Sequence, residues 1–129
     1  KRYVAVVAGD ITGSPGWSEI DLPLARDWPN RPRSKVDHVS GKPSLTRWRA
    51  LGAGPWPGTT RLELEPVTGR SHQLRVHLHA LGHAIVGDPL YGEAARSRDH
   101  PRLLLHASWL RVPHPADGAP LEWTSQVPF

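Results

Sequence analysis

A single stretch of the chain, Thr68 to Gly92, concentrates residue types that carry out chemistry in proteins. Its sequence, TGRSHQLRVHLHALGHAIVGDPLYG, contains the arginines Arg70 and Arg75 and the histidines His72, His77, His79 and His83. Imidazoles bind metal ions and transfer protons near neutral pH, whereas guanidinium groups bind carboxylates and phosphates. The stretch therefore predicts a metal site, a catalytic base, or an arginine-based site that the histidines support.

A metal site has little support from the spacing. The HExxH pattern of zinc hydrolases is absent, and on a helix Arg75 would share a face with His72 and His79, where its charge would repel a dication. A hydrolase using Ser71 and His72 is also disfavoured, because adjacent helical residues point about 100° apart. The simpler interpretation is that the histidines pack at the edge of a site. A histidine-bound metal hydrolase stays open as an alternative.

Arg75 is the residue of the stretch that most clearly needs a partner. It lies between apolar helix positions and beside imidazoles, a setting that favours a carboxylate or phosphate contact. Taken alone, however, Arg75 is better interpreted as a solvated surface charge.

The segments around this stretch are predicted to position it. Short strands are indicated at Tyr3–Ala8, in PSLTRWRAL, in TRLELEPV, in RLLLHASWLRV and in PLEWTSQV. In TRLELEPV, Leu62 and Leu64 should face inward. One helix is predicted, with Ser71 as its N-cap, the apolar residues Leu74, Leu78 and Leu81, and Gly82 after its end. The fold class is therefore α+β, with a mixed, mostly antiparallel sheet, one main helix and long loops.

The segment from Asp21 to Lys35 stands apart in composition. It contains three prolines, four cationic side chains and Trp28. We expect an extended surface arm, since so many prolines exclude a central strand or a helix. Arg31 and Arg33 suit phosphates, and Trp28 suits stacking on a base. A solvated charged loop is the alternative.

The whole-chain numbers fit one domain. The chain has 129 residues, a net charge of +4, no cysteine and no methionine. The charge permits a nucleic-acid partner, and the missing cysteines exclude disulfides and thiolate metal sites. No run is apolar enough to span a membrane, so we expect the cytoplasm as the compartment. We also expect a monomer. Because the chain opens directly on a strand without methionine, we interpret it as part of a longer protein.

Taken together, these motifs resemble one family over nearly the whole chain. TGRSHQLRVHLHALGHAIVGDPLYG is similar to the signature block of the RluA-type pseudouridine synthases. KRYVAVVAG resembles the strand that carries the family's tyrosine, GKPSLTRWRAL its Gly-Lys-Pro segment, and RLLLHASWLRVPHP its Leu-His-Ala strand. DLPLARDWPNRPRSKV resembles the branch of the family named for RluA, which modifies a tRNA anticodon stem-loop and an rRNA hairpin.

The resemblance implies an enzyme that isomerises uridine in RNA without a metal or organic cofactor. It implies that Arg75 pairs with a catalytic aspartate and that Tyr3 stacks on the flipped base. Leu104 or Leu105 is implied on the other side of the base. By the same resemblance, Arg70 and His72 shape the pocket.

The family's catalytic aspartate has no counterpart in this chain. It belongs to a His-Arg-Leu-Asp motif before the tyrosine strand, and every aspartate of this sequence comes after Tyr3. Asp88, in the GDPLYG turn, is predicted to cap that turn. We therefore interpret the chain as the C-terminal portion of a catalytic domain, inactive alone. A noncatalytic RNA-binding module is the main alternative.

Overall fold

The structure is a computed structural model that describes residues 1–11, 16–92 and 102–129. The elements in chain order are β1 (Arg2–Ala8), β2 (Ser18–Asp21), β3 (Leu24–Arg26), a short 3₁₀ helix (Trp28–Asn30), β4 (Ser34–Val36), β5 (Leu45–Ala53), β6 (Thr59–Pro66), α1 (Gln73–Ala80), β7 (Leu105–Pro113) and β8 (Pro120–Thr124). In the described part of the chain, no helix has the length and apolarity needed to cross a membrane.

Six of the strands form a central sheet in the order β2-β5-β6-β1-β7-β8. Each of these pairings is antiparallel, with Tyr3 opposite Leu64 between β1 and β6 and opposite Ala107 between β1 and β7. The predicted α+β class is therefore confirmed. The N-terminal strand β1 lies inside the sheet, so Tyr3 has a paired strand on each side.

Side-chain alternation along β6 divides the sheet into two faces, as the sequence predicts. Leu62 and Leu64 have no exposed area and pack on one face, while Glu63 and Glu65 lie on the other. The apolar face packs against α1 through Leu74 and Leu78. Burying this face fixes the helix, and with it the polar side chains of the helix, over the sheet.

The helix begins differently from the prediction. Ser71 is not its N-cap: the residue before the first helical position is His72, whose φ of 55° is left-handed and whose side chain does not cap the helix. A backbone hydrogen bond from Gln73 N to the Arg70 carbonyl closes a turn just before the helix. This turn, rather than a side-chain cap, sets the start of α1.

The end of the helix follows the prediction. Gly82 has a φ of 90°, and the amides of Gly82 and His83 bond to the carbonyls of His79 and Leu78. This is the Schellman pattern, which favours glycine because a side chain is strained at positive φ. Leu81 lies after the last helical residue and is 40% exposed, so it does not extend the buried stripe.

The expectation of an extended arm is wrong for the segment from Asp21 to Lys35. Asp21 ends β2, and β3 and β4 then form an antiparallel hairpin that pairs Leu24 with Val36. Leu24 packs with Val76 of α1 and with Tyr91, so the hairpin is seated on the helix. The prolines are accommodated because they precede β3 or lie in the 3₁₀ helix and the turn that follows it, outside the ladder. We call residues 24–36 the arm hairpin.

Candidate functional site

A cleft of about 450 Å³ opens where the N-terminal end of β1 meets the start of α1. β1 and β7 form one wall, and the loop and first turn leading into α1 form the other. This cleft brings together five residues that the sequence singles out: Tyr3, Arg70, His72, Arg75 and Leu105. None of the described residues that line it is an aspartate or glutamate.

Leu104 and Leu105 lie in different places. Leu105 is the first residue of β7 and faces the cleft beside Tyr3. Leu104 is buried instead in a separate apolar cluster with Val6 and Val86. Of these two leucines, only Leu105 is therefore positioned to contact a ligand in the cleft.

Arg75 makes a bidentate ion pair with Asp88. Its Nε donates to Asp88 Oδ2 at 2.9 Å and its Nη2 to Oδ1 at 2.7 Å. The Asp88 side chain is fully buried, whereas Arg75 retains 16% exposure at the cleft. The pair uses Nε and Nη2, so Nη1 takes no part in it. The hydrogen bond to Asp88 raises the pKa of Arg75 above its ordinary value.

Asp88 also fulfils the predicted turn-capping role. Its Oδ1 accepts the backbone N–H groups of Leu90 at 2.9 Å and Tyr91 at 3.1 Å. Burial opposes ionisation, but the hydrogen bonds from Arg75 and from these two amides outweigh it and hold the pKa of Asp88 below its usual value. Asp88 is therefore a fixed anion that connects the turn to the arginine.

His72 contacts Tyr91 at the inner edge of the cleft. The His72 Nδ1 lies 2.9 Å from the Tyr91 hydroxyl, and the two rings meet edge to face. Burial, with a smaller effect from the positive charge of Arg75, lowers the pKa of His72 below its ordinary value. This imidazole is therefore biased towards its neutral form.

His77 serves the fold rather than the cleft. It has no exposed area, and its ring nitrogens lie 2.8 Å from Thr46 Oγ1 and 2.9 Å from the Leu22 carbonyl. The Leu22 carbonyl can only accept, so Nε2 carries the proton and Nδ1 accepts from the threonine hydroxyl. Burial lowers the pKa of His77. This buried imidazole links β5, the loop after β2, and α1.

The remaining histidines of the stretch do not form a metal centre. His83 Nδ1 lies 2.7 Å from the Ala8 carbonyl, and His79 is exposed on α1. Within residues 1–11, 16–92 and 102–129, no three histidine or acidic side chains come together in a way that could hold a metal ion. The described geometry thus gives no support to a histidine-bound metal hydrolase.

A second cleft, of about 460 Å³, continues the first one towards the arm hairpin. The two clefts share Gly69 and Arg70 on their walls. The guanidinium of Arg70 bonds to the Pro43 carbonyl through Nε and Nη2, which holds it between them. Arg26, Trp28 and Lys42 also line this second cleft, and again no carboxylate does among the described residues.

Three arginines of the arm hairpin lie near one tryptophan ring and one tyrosine ring. Trp28 is 60% exposed, and the guanidinium groups of Arg26 and Arg31 lie 5.9 Å and 5.7 Å from its ring. Arg33 instead lies 5.2 Å from the ring of Tyr91. Arg31 and Arg33 thus belong to different aromatic contacts, although they are two residues apart.

Three site residues were not singled out from the sequence: Tyr91, Gln73 and Lys42. Gln73 is buried and its amide bonds to Thr46, Thr68 and the Arg70 backbone, so it fixes the loop that carries Arg70. The only available signal for Tyr91 was its spacing of three residues from Asp88 in GDPLYG, which suits a turn closed by that carboxylate.

Comparison with known proteins gives this geometry a family. The family model for RNA pseudouridylate synthase matches residues 1–80, which is most of the chain and includes both Tyr3 and Arg75. The chain belongs to the RNA pseudouridylate synthase family. Its type is that of RluA, in agreement with the motifs.

Individual pseudouridylate synthases agree with this assignment. The chain is 46% identical over its whole length to the dual-specificity RNA pseudouridine synthase RluA of Escherichia coli K12, and 43% identical to RluA of Haemophilus influenzae. It spans 58% of the length of each of these relatives.

Two solved human structures share the fold. RNA pseudouridylate synthase domain containing 1 superposes with a TM-score of 0.84 at 36% identity, covering 99% of this chain and 54% of that one. RNA pseudouridylate synthase domain containing 4, at 21% identity and a TM-score of 0.69, supports the fold alone.

Proposed function

We propose that this chain forms the part of an RNA pseudouridine synthase active site that holds the base and orients the charges. The reaction breaks the N1–C1′ bond of a uridine, turns the uracil, joins C5 to C1′, and moves the C5 proton to N1. The observation that carries the proposal is the first cleft, where Tyr3, Leu105 and Arg75 converge around a space of nucleotide size. Isomerisation of this kind needs no cofactor.

Each residue has a role that follows from its position. Tyr3 and Leu105, on adjacent strands, offer an aromatic ring and an apolar side chain on which a flipped uracil can pack. Arg75 binds Asp88 through Nε and Nη2, and its Nη1, which is outside that pair, is the group that can donate to the carboxylate that attacks the sugar. Because the described lining residues include no acid, we propose that an aspartate outside this chain supplies that carboxylate.

An RNA substrate is supported by the charges along the two clefts. Lys1, Arg75 and Arg70 line the first, while Arg26 and Lys42 extend the positive wall into the second. Of these five cations, Arg75 is neutralised by Asp88, and no described lining residue carries a negative charge. Such a path suits an RNA backbone that leaves one nucleotide in the first cleft.

The finer parts of the proposal follow the RluA type. We propose a tRNA anticodon stem-loop or an rRNA hairpin as substrate, and a monomeric enzyme in the cytoplasm. The relatives that the chain matches bear the name dual-specificity RNA pseudouridine synthase, which supports two kinds of RNA target.

Tritium release from C5-labelled uridine in tRNA and rRNA transcripts tests the proposal. The complete product of the gene that encodes this chain should release tritium, and the 129-residue chain alone should not, because binding cannot replace the nucleophile. Circular dichroism must first show that the isolated chain is folded. Turnover by the isolated chain would contradict the assignment of the nucleophile to another segment.

The alternative, an RNA-binding module without activity, is favoured by one observation: no carboxylate is found among the described residues that line the first cleft. The same assay separates the two functions. If the complete product binds the transcripts in a filter assay but releases no tritium from any of them, the protein is a binding module.

A further inference from the structure

The Tyr91 hydroxyl is buried between the arm hairpin and the cleft. Tyr91 is 4% exposed, and its hydroxyl has two hydrogen-bond partners among the described residues. The backbone N–H of Ser34, in β4, donates to it at 2.8 Å. The second partner, at 2.9 Å, is His72 Nδ1. One hydroxyl therefore contacts both the arm hairpin and a residue of the first cleft.

The direction of the bond to His72 follows from proton counting. A tyrosine hydroxyl has one proton to donate, and the Ser34 N–H can only be a donor. If His72 Nδ1 also donated, the hydroxyl proton would have no acceptor in a buried site, at a cost in free energy. The hydroxyl therefore donates to Nδ1. In a neutral imidazole with Nδ1 as acceptor, the proton lies on Nε2.

The backbone at His72 is held in a costly conformation. Among the described residues, His72 is the only one other than glycine with a positive φ. Such a conformation costs on the order of 1 kcal/mol and persists where the surroundings impose it, often at functional sites. The turn formed by Arg70 and Gln73 imposes it here, and it directs the imidazole to the cleft that His72 lines.

The ring of Tyr91 contacts two arginines as well. The guanidinium groups of Arg33 and Arg75 lie 5.2 Å and 5.3 Å from its centroid. Asp88, which binds Arg75, also accepts the Tyr91 backbone N–H. The same side chain is thus in contact with the arm hairpin, with the arginine of the cleft and with His72.

We propose that Tyr91 is a positioning residue that fixes His72 as the Nε2–H tautomer, so that His72 donates a hydrogen bond to an oxygen of the nucleotide in the cleft. The bond from Ser34 ties this tautomer to the seating of the arm hairpin. Contact between the arm and RNA thereby stabilises the same hydroxyl position that prepares the cleft. The role of His72 towards a nucleotide rests on the proposed function, whereas its tautomer does not.

Tyr91→Phe in the complete gene product tests the proposal, because it removes the hydroxyl and keeps the ring that Arg33 and Arg75 contact. Nitrogen-15 NMR of the histidine rings reads the tautomer directly. In the wild type, His72 should show a protonated Nε2 and an unprotonated Nδ1 at pH 7.5. In Tyr91→Phe this single tautomer should be lost, and the single-turnover rate should fall by about tenfold.

Thr60→Val is the matched control. The Thr60 hydroxyl is also buried, accepts the Ile11 N–H at 3.0 Å and donates to the Gly9 carbonyl at 2.7 Å, at the end of β1 remote from the cleft. Its loss should destabilise the fold to a similar degree. The His72 tautomer and the single-turnover rate should remain those of the wild type.

Three outcomes separate the possibilities. A wild-type His72 with a protonated Nδ1 overturns the proposal, and so does a Tyr91→Phe variant that keeps the wild-type tautomer and rate. If the tautomer behaves as expected but the wild type forms no pseudouridine, the proposed function fails and the positioning of His72 by Tyr91 stands.

Discussion

The Arg75–Asp88 pair sets how any substitution of Arg75 must be interpreted. Asp88 is fully buried, so Arg75→Ala removes the charge that balances a buried carboxylate, at a cost on the order of 3–5 kcal/mol. Arg75→Lys should retain part of the stability but lose the fork that binds both carboxylate oxygens. Urea unfolding of both variants measures these free energies.

Two further variants separate this effect from a general loss of charge. The cost of Arg75→Ala should shrink in an Asp88→Asn background, where no anion is left to balance. Arg47→Ala is the control, since its partner Glu65 is 25% exposed and the cost should be below about 1 kcal/mol. Equal costs for Arg75→Ala and Arg47→Ala would show that the buried pair does not form. A rate loss in Arg75→Ala is informative about catalysis only at temperatures where the variant is folded.

Substitution of His72 by asparagine should lower activity without lowering stability. Asparagine tolerates the left-handed conformation better than histidine, and its side-chain oxygen can still accept from the Tyr91 hydroxyl. We therefore expect His72→Asn to keep the wild-type unfolding free energy, or to raise it by less than about 1 kcal/mol. The variant lacks the Nε2–H, so its single-turnover rate should fall. His38→Asn, at an exposed position that lines neither cleft, should change neither quantity.

At the scale of elements, the arm hairpin is the segment whose chemistry and structure differ most from simple expectation. Its composition drew attention to Trp28, Arg31 and Arg33, and in the structure Arg31 lies over the Trp28 ring and Arg33 over the Tyr91 ring. Its proline content suggested an unpaired arm, yet β3 and β4 pair. Prolines show where a strand would lack a backbone N–H donor for sheet pairing. They do not show that Leu24 packs against Val76 of α1.

The salt dependence of RNA binding tests whether the arm hairpin contacts RNA. If Arg31 and Arg33 contact phosphates, replacing both by alanine should flatten the slope of log affinity against log salt by about one to one and a half units. Trp28→Ala should weaken binding by about 1–3 kcal/mol without changing the slope, because stacking releases no counterions. Filter binding at several salt concentrations measures both effects in the complete gene product.

A double variant on β6 and β7 provides the control. Arg61→Ala with Arg111→Ala removes the same charge from β6 and β7, at positions that line neither cleft. Its slope should match the wild type. A double substitution at Arg31 and Arg33 with the same slope as this control would place the arm hairpin away from the RNA.

The helix shows where prediction from sequence succeeds and where it stops. Gly82 marked its end correctly because glycine is favoured by a local backbone requirement that the sequence displays directly. Its start was misplaced because the turn before His72 is held by bonds to residues distant in the sequence, from the Arg70 guanidinium to the Pro43 carbonyl and from the Gln73 amide to Thr46. The partner of Arg75 was missed for the same reason, since Asp88 is 13 residues away and meets it only after the turn folds back.

At the scale of the whole molecule, the surfaces that carry positive charge differ in whether carboxylates accompany the cations. On the sheet face opposite α1, Arg47 and Arg49 pair with Glu65 and Glu63 at 2.9 Å and 2.7 Å and surround Trp17 at 4.9 Å. Those arginines are balanced by carboxylates. The described residues that line the two clefts include cations and no carboxylate, and Asp88 pairs with Arg75 from behind the lining. This arrangement favours an anionic ligand at the clefts rather than on that sheet face.

The buried histidines should make the stability of the molecule depend on pH above the range in which carboxylates titrate. Burial lowers the pKa of both His77 and His72 in the folded state, so the unfolded chain binds more protons in mildly acidic solution. Stability is complete above the unfolded value of about 6.5 and falls as the pH decreases from there towards the folded pKa.

Among the described residues, the carboxylates whose pKa is lowered are Asp37, Asp88 and Glu65, and their contributions are lost only as the pH falls below their unfolded values of 3.8 to 4.5. The interval from about pH 6.5 to 5 therefore isolates the histidines. The unfolding free energy of the complete gene product, measured by urea titration across this interval, should decrease by up to about 1.4 kcal/mol per pH unit for each proton taken up on unfolding. His77→Gln should flatten this dependence, since glutamine can still bond to Thr46 and Leu22 but does not titrate. His38→Gln, at an exposed position, controls for the loss of an imidazole. If both variants keep the wild-type pH dependence, His77 is not the neutral, buried link between β5 and α1 that its hydrogen bonds indicate.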